Sequence, residues 1–88
     1  MRVRRLAFVD EYVEDGQAAV MIETHVVVLS AMATEIWLFL AAECRDVRDV
    51  ASHLVDCFGE PPQLDAETMT IRLLDELATQ NLVQLVVA

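Results

Sequence analysis

Apolar and polar positions follow a short period in the first third of this chain and a helical period after it. Val3 to Val13 predicts a first strand with loose alternation, Ala18 to Ile22 a second strand and Val26 to Leu29 a third. Asp15-Gly16 supplies the turn between the first two strands, because glycine adopts a positive φ at low cost. Short connections favour a meander of antiparallel neighbours, so we expect the third strand to lie at an edge of the sheet.

Three helices are predicted next, each beginning after a residue whose side chain can accept a hydrogen bond from the first turn: Ser30, Asp46 and Asp65. The first helix is expected to end near Glu43-Cys44-Arg45, the second at Gly59 and the third at about Thr79. Leu82 to Val87 is apolar and predicts either a last strand or a tail packed over the core.

This order of elements predicts one domain over residues 1–88, of the α+β class. A three-stranded antiparallel sheet followed by three helices gives a small domain that resembles a winged helix-turn-helix. Hydrophobic residues make up 56% of the chain, which favours a packed core over disorder. A chain of this length buries only about 60% of its unfolded surface, which leaves little room for a deep catalytic cavity.

The charge balance argues against polyanionic partners. Six basic residues, all arginine, face fifteen acidic ones, for a net charge of −9. Affinity for nucleic acid comes mainly from basic side chains that neutralise phosphates, so we expect no nucleic-acid partner. Arg2, Arg4 and Arg5 form a small cluster, interpreted as the charged surface of an edge strand that blocks unwanted pairing.

The apolar segments are too short and too often interrupted by charge to predict a membrane span or a signal peptide. We therefore expect a cytoplasmic protein without a membrane partner. Cys44 and Cys57 fit that compartment as reduced thiols. They lack C-x-x-C spacing, and His25 and His53 lie in different predicted elements, so no metal site is expected.

No pattern typical of catalysis occurs in the chain, and we expect neither an enzyme nor a cofactor. His53 is predicted away from the apolar stripe of the second helix, as an exposed residue and not a general base. Cys57 is predicted in the last turn of that helix, where the dipole disfavours a thiolate.

The third helix carries the observations that bear on binding. As a DNA-reading helix it would present Arg72 against Glu67, Asp75 and Glu76, an unfavourable charge for contact with phosphates. A second face, apart from the core stripe, holds apolar residues among polar ones: Thr68, Ile71, Arg72, Asp75 and Ala78. An extended peptide could pair with the edge strand and rest on this face. The alternative is that Ile71 belongs to the core and that Arg72 and Asp75 form a surface ion pair.

The order of these segments resembles the PqqD-like family, the leader-peptide recognition elements of ribosomal peptide biosynthesis. The similar segments are Ala19 to Glu23, Val28 to Ala33 with Ile36-Trp37, Asp46 to Gly59, and Leu73 to Leu77 with Asn81-Leu82-Val83. Ser30 stands where the family usually has asparagine and Asn81 where it has glycine; both keep the local backbone role. The connection Glu23-Thr24-His25 is shorter than usual.

The resemblance implies a non-catalytic protein that binds the leader of a precursor peptide as an extra strand between the third strand and the third helix. Carried over to this sequence, the peptide-binding residues are Val26, Val27, Val28, Leu29, Thr68, Ile71, Arg72 and Asp75. A free-standing chain of this size is most similar to the leader-binding proteins of lasso-peptide clusters, which deliver the precursor to a separate leader peptidase and a cyclase.

Three alternatives remain open. The first is a chaperone of pyrroloquinoline quinone synthesis, or of another peptide modified by a radical enzyme. The second, of another class, is a winged-helix DNA-binding regulator. The third is a homodimer that pairs through the edge strand.

Overall fold

The computed structural model describes residues 1–87 of the chain. It contains six strands and three helices, in the order β1 (Arg2–Arg5), β2 (Asp10–Glu14), β3 (Gln17–Ile22), β4 (His25–Val28), α1 (Ala31–Phe39), β5 (Arg45–Asp46), α2 (Val47–Phe58), α3 (Ala66–Thr79) and β6 (Val83–Val86). The predicted α+β class is confirmed, and the terminal apolar segment is a strand.

The predicted meander is the sheet β2-β3-β4, in which every pair is antiparallel. Asp15 and Gly16 join β2 to β3, with φ angles of 53° and 76°. Glu23 takes a φ of 53° in the two-residue connection from β3 to β4. Only β3 pairs with β4 within residues 1–87, so the expectation of an edge strand is confirmed.

The single first strand predicted from Val3 to Val13 is wrong. The chain leaves β1 after Arg5 and enters β2 at Asp10, and the two strands belong to different sheets. In its own sheet β1 lies between β5 and β6, where Val3 is fully buried. The pattern of residues does not reveal the break between β1 and β2, because the apolar residues of the segment between them continue the pattern of a strand.

The sequence predicted that Arg2, Arg4 and Arg5 lie on an edge strand, and this prediction is wrong because β1 is the central strand of its sheet. The guanidinium of Arg2 donates to the carbonyl of Cys44 at 3.0 Å. That of Arg4 donates twice to the side-chain oxygen of Gln84 on β6. Arg2 and Arg4 therefore link β1 to Cys44 and to β6 in the sheet β5-β1-β6, which we call the small sheet.

The three predicted helix starts are confirmed. The side chains of Ser30, Asp46 and Asp65 accept hydrogen bonds from backbone N–H groups in the first turns of α1, α2 and α3. At Asp65 these bonds, from the Thr68 hydroxyl and N–H, also lower the pKa of the carboxyl group. The predicted end of the first helix is wrong: α1 stops at Phe39, because Arg45 and Asp46 pair with β1 as β5.

The core lies where the helices meet both sheets. α1 packs against β3 and α2, and α3 packs against α2 and β6. The largest fully buried apolar side chains come from all these layers: Trp37, Ile36, Leu54, Leu74, Leu82, Val3, Val20, Val50 and Val83. Within residues 1–87, no helix combines the length and apolar character needed to cross a membrane.

Candidate functional site

The outer edge of β4 presents backbone hydrogen-bonding groups with which no strand within residues 1–87 pairs. Leu29 donates its N–H to the carbonyl of Ala18 at 2.7 Å, which shows that the backbone of Leu29 faces β3. Donors and acceptors alternate in direction along an antiparallel strand, so Val27 and His25 also face β3. The N–H and C=O groups of Val26 and Val28 therefore point outward, to the open side of the sheet.

The side chains of this segment alternate between the two faces of the sheet. Val26 and Val28 are 58% and 67% exposed, whereas Val27 is half-buried against the core. Leu29 lies just beyond the end of β4 and is only 3% exposed. Of the four residues predicted here as peptide-binding, Leu29 is thus a core residue that supports the edge from behind, and its side chain is not available to a ligand.

A groove of about 730 Å³ opens between the start of β4, the segment from β1 to β2 and the end of α3. Its lining is mixed, with more apolar than charged side chains: Leu6, Ala7, Phe8, Val9, Ile22, Glu23, His25, Val27, Thr79, Gln80 and Asn81. Of the predicted site residues only Val27 lines it. The apolar run Leu6 to Val9 is the sequence signal for the groove, but the same pattern predicts the continuation of a strand.

The remaining predicted residues lie further along α3. Thr68, Arg72, Asp75 and Thr79 recur at helical spacing and form one stripe, which we call the α3 stripe. Thr79 is its member at the groove. Thr68 donates its hydroxyl to Asp65 at 2.7 Å, and Arg72 and Asp75 are exposed. The ion pairs within residues 1–87 do not include one between Arg72 and Asp75, so both side chains are turned to solvent.

Ile71 belongs to a different surface from the one predicted. Its side chain is half-buried and packs against the hydrophobic core, next to the buried residues of α3. The face holding Ile71 is therefore continuous with the core and not separate from it. Ile71 lies at the boundary between the core and the α3 stripe.

A cluster around Trp37 fixes one wall of the groove. The Trp37 indole N–H and the Arg5 guanidinium both donate to the carboxylate of Glu11. The Arg5 guanidinium lies 3.9 Å from the centre of the Trp37 ring, and Phe8 meets that ring edge-on at 5.2 Å. Burial lowers the pKa of Arg5, and the Glu11 carboxylate opposes that change. These contacts hold Phe8, a lining residue, in a defined position.

A second group of reactive side chains lies outside the groove. His53 is not the exposed residue expected from the sequence: it is half-buried, stacked on Phe39, and hydrogen-bonded to Glu35. Cys57, one turn further along α2, lies beside both of them. The spacing of cysteines and histidines along the sequence missed this group because Glu35 comes from α1.

Comparison with known proteins gives one match. The family model described as coenzyme PQQ synthesis protein D, PqqD, matches residues 8–83, which is most of the chain. The matched range includes β2 to β4, all three helices and every lining residue of the groove except Leu6 and Ala7. No curated protein and no solved structure matches the chain.

Proposed function

Because this chain belongs to the PqqD family, we propose that it binds the leader region of a ribosomally synthesised precursor peptide and presents it to modifying enzymes. Membership of the family supports a general role in peptide recognition within the biosynthesis of such peptides. Membership of the family also supports a non-catalytic role, because its members are recognition proteins and not enzymes. The observation that carries the finer proposal is the open edge of β4.

In the proposed complex the leader adds a strand beside β4. Val26 and Val28 together offer two N–H donors and two C=O acceptors along this edge, enough to fix the register of a short extended segment. Main-chain pairing of this kind tolerates many sequences. Specificity then has to come from the side chains on which the added strand rests.

The groove and the α3 stripe supply two kinds of contact. Alternate side chains of an added strand point to the same face as Val27 and His25, and this is the face that lines the groove. An apolar leader side chain would fit against Phe8 and Ile22 there. Arg72 and Asp75, both exposed and unpaired with each other, would contact polar or charged leader groups.

For the pathway, we propose a lasso-peptide cluster, in which a separate leader peptidase and a cyclase receive the bound precursor. A second candidate is the chaperone of pyrroloquinoline quinone synthesis, which the description of the matching family favours. The two differ in the precursor encoded beside this chain. Titration with both kinds of leader therefore separates them.

The deciding experiment is fluorescence anisotropy with a dye-labelled leader from the neighbouring precursor gene. A labelled peptide of the same composition in scrambled order serves as the control. Saturable binding of the leader, competed by unlabelled leader and much weaker for the scrambled peptide, is expected. Equal binding of the two peptides, or none of either, contradicts the proposal.

Two rival functions, DNA binding and homodimerisation through β4, predict different measurements on the same purified protein. A DNA-binding regulator would bind duplex at low salt with a steep loss of affinity as salt rises. The acidic residues of α3 and the net charge of −9 predict no such binding. A homodimer through β4 would show a mass in light scattering that rises with concentration, and leader binding would lower that mass by competing for the same edge.

A further inference from the structure

Three potential metal ligands from two helices meet on a surface that shares no residue with the groove. Glu35 comes from α1, and His53 and Cys57 lie one turn apart on α2. The His53 Nε2 lies 3.1 Å from the Glu35 Oε2 and 3.7 Å from the Cys57 Sγ. The Cys57 Sγ lies 3.9 Å from the same Glu35 oxygen. The three atoms thus form a small triangle.

The dimensions of this triangle match one face of a tetrahedral zinc site. Zinc bonds of about 2.3 Å to sulfur and about 2.0–2.2 Å to nitrogen or oxygen, at tetrahedral angles, place ligand atoms about 3.4–3.6 Å apart. The three observed separations depart from that range by no more than about 0.3 Å. Small rotations of the Glu35 and Cys57 side chains cover such a difference.

The position of His53 is fixed before any ion arrives. Its ring stacks on Phe39 with centres 4.3 Å apart and planes 9° from parallel, and the Arg45 guanidinium covers the same phenyl ring at 4.5 Å. The spacing of four residues from His53 to Cys57 places both side chains on one side of α2. The Glu35 carboxylate is already hydrogen-bonded to His53, so little conformational entropy is lost on binding an ion.

We propose that Glu35, His53 and Cys57 bind one Zn²⁺ ion through a carboxylate oxygen, the imidazole Nε2 and a thiolate. The combination of soft sulfur with nitrogen and oxygen donors selects Zn²⁺ over Mg²⁺ or Ca²⁺, which prefer oxygen alone. Cys57 is exposed, so a water molecule has access to the fourth position. When the ion binds, the Cys57 thiol proton leaves to solvent and the sulfur–zinc bond forms.

Cys57 is a free thiol, and zinc binds the thiolate form of cysteine. Binding therefore releases a proton, which calorimetry in two buffers of different ionisation enthalpy detects. The bound ion would tie α1 to α2 through side chains, and it would stabilise the folded chain through mass action.

The chain contains matched controls for two of the three ligands, because it has two histidines and two cysteines. Metal-free protein is titrated with Zn²⁺ against a chromophoric chelator. One ion per chain is expected for the wild type, and Cys57→Ser or His53→Gln should weaken binding at least about tenfold, the loss that even an outer-shell change causes. Cys44→Ser and His25→Gln should bind as the wild type does.

Cobalt identifies the sulfur ligand directly. Co²⁺ bound to the wild type should give the near-ultraviolet absorption of a thiolate–cobalt bond, and Cys57→Ser should lose this absorption while its far-ultraviolet circular dichroism stays unchanged. At the same concentration, Zn²⁺ should raise the melting temperature of the wild type more than that of Cys57→Ser. The proposal is overturned if no ion binds, or if the affinity of Cys57→Ser for Zn²⁺ equals that of the wild type.

Discussion

Val27 lies directly opposite Val20 in the β3–β4 ladder, and this pairing directs the N–H of Val27 inward and that of Val28 outward. Proline substitutions at these two neighbours therefore have different effects. Proline removes a donor and is tolerated in a sheet only where that donor faces an open edge. Val28→Pro should keep the fold and lower leader affinity about threefold to tenfold, the contribution of one backbone hydrogen bond.

The matched variants make this test specific. Val27→Pro breaks the ladder with β3 and should cost about 1–3 kcal/mol of unfolding free energy, because it strands the facing carbonyl. Val28→Thr keeps both the N–H and the shape of the side chain and should bind the leader normally. Denaturant unfolding and anisotropy measure the two effects separately. Leader affinity unchanged in Val28→Pro would show that the peptide does not pair with β4.

Trp37 should report occupation of the groove although its side chain is fully buried. It is the single tryptophan of the chain, and its ring contacts Phe8, which lines the groove. A leader side chain that displaces or repacks Phe8 changes the surroundings of the indole. We expect the emission of Trp37 to change along the same binding curve as the anisotropy, and Phe8→Leu to reduce that change. Saturated binding with constant emission would place the peptide away from Phe8.

Neighbouring positions on α3 distinguish the core from the α3 stripe. Ile71 packs against the core, so Ile71→Asp should lower the unfolding free energy by about 1–3 kcal/mol. Arg72→Asp introduces the same side chain at an exposed position and should change stability by no more than about 0.5 kcal/mol. Urea unfolding compares them. Equal midpoints for the two variants would mean that Ile71 contributes nothing to the core.

Arg72→Asp also tests binding, since its fold is expected to survive. Loss of leader affinity would assign Arg72 to the peptide contact. Arg48→Asp, at an exposed position on α2 away from the groove, controls for the change in net charge. If both variants weaken binding equally, the effect is one of overall charge and not of the α3 stripe.

Thr34 joins α1 to the sheet β2-β3-β4 by one buried hydrogen bond. Its hydroxyl accepts the N–H of Ala18 at 2.9 Å, and the Thr34 side chain is only 1% exposed. Thr34→Val keeps the volume but leaves that N–H without a partner, which should cost about 1–3 kcal/mol. Thr34→Ser keeps the hydroxyl and should lose less. A midpoint for Thr34→Val at or above that of Thr34→Ser would show that this bond contributes nothing.

Features fixed by local chemistry could be predicted from the sequence. Ser30, Asp46 and Asp65 begin helices because each side chain accepts bonds from residues two or three positions later. The edge position of β4 follows from two tight connections in succession. These contacts span a few residues, so their causes lie within the segment itself.

Features that depend on distant partners could not be predicted. β5 consists of two residues that are strand only because β1 lies beside them, and the same pairing shortened the first helix. The groove depends on where the segment from Leu6 to Val9 meets the end of α3. The proposed zinc site depends on how α1 crosses α2. The spacing of residues along the sequence does not reveal these contacts between distant segments, because they depend on how the elements pack together.

The ladder between β1 and β6 has a consequence for the order of folding. It pairs Arg2 with Val86, so it closes a loop that contains almost the whole chain. The β2–β4 meander and the α2–α3 pair close much shorter loops and lose less chain entropy in doing so. We therefore expect the small sheet to assemble last, on a nucleus in which the open edge of β4 is already formed.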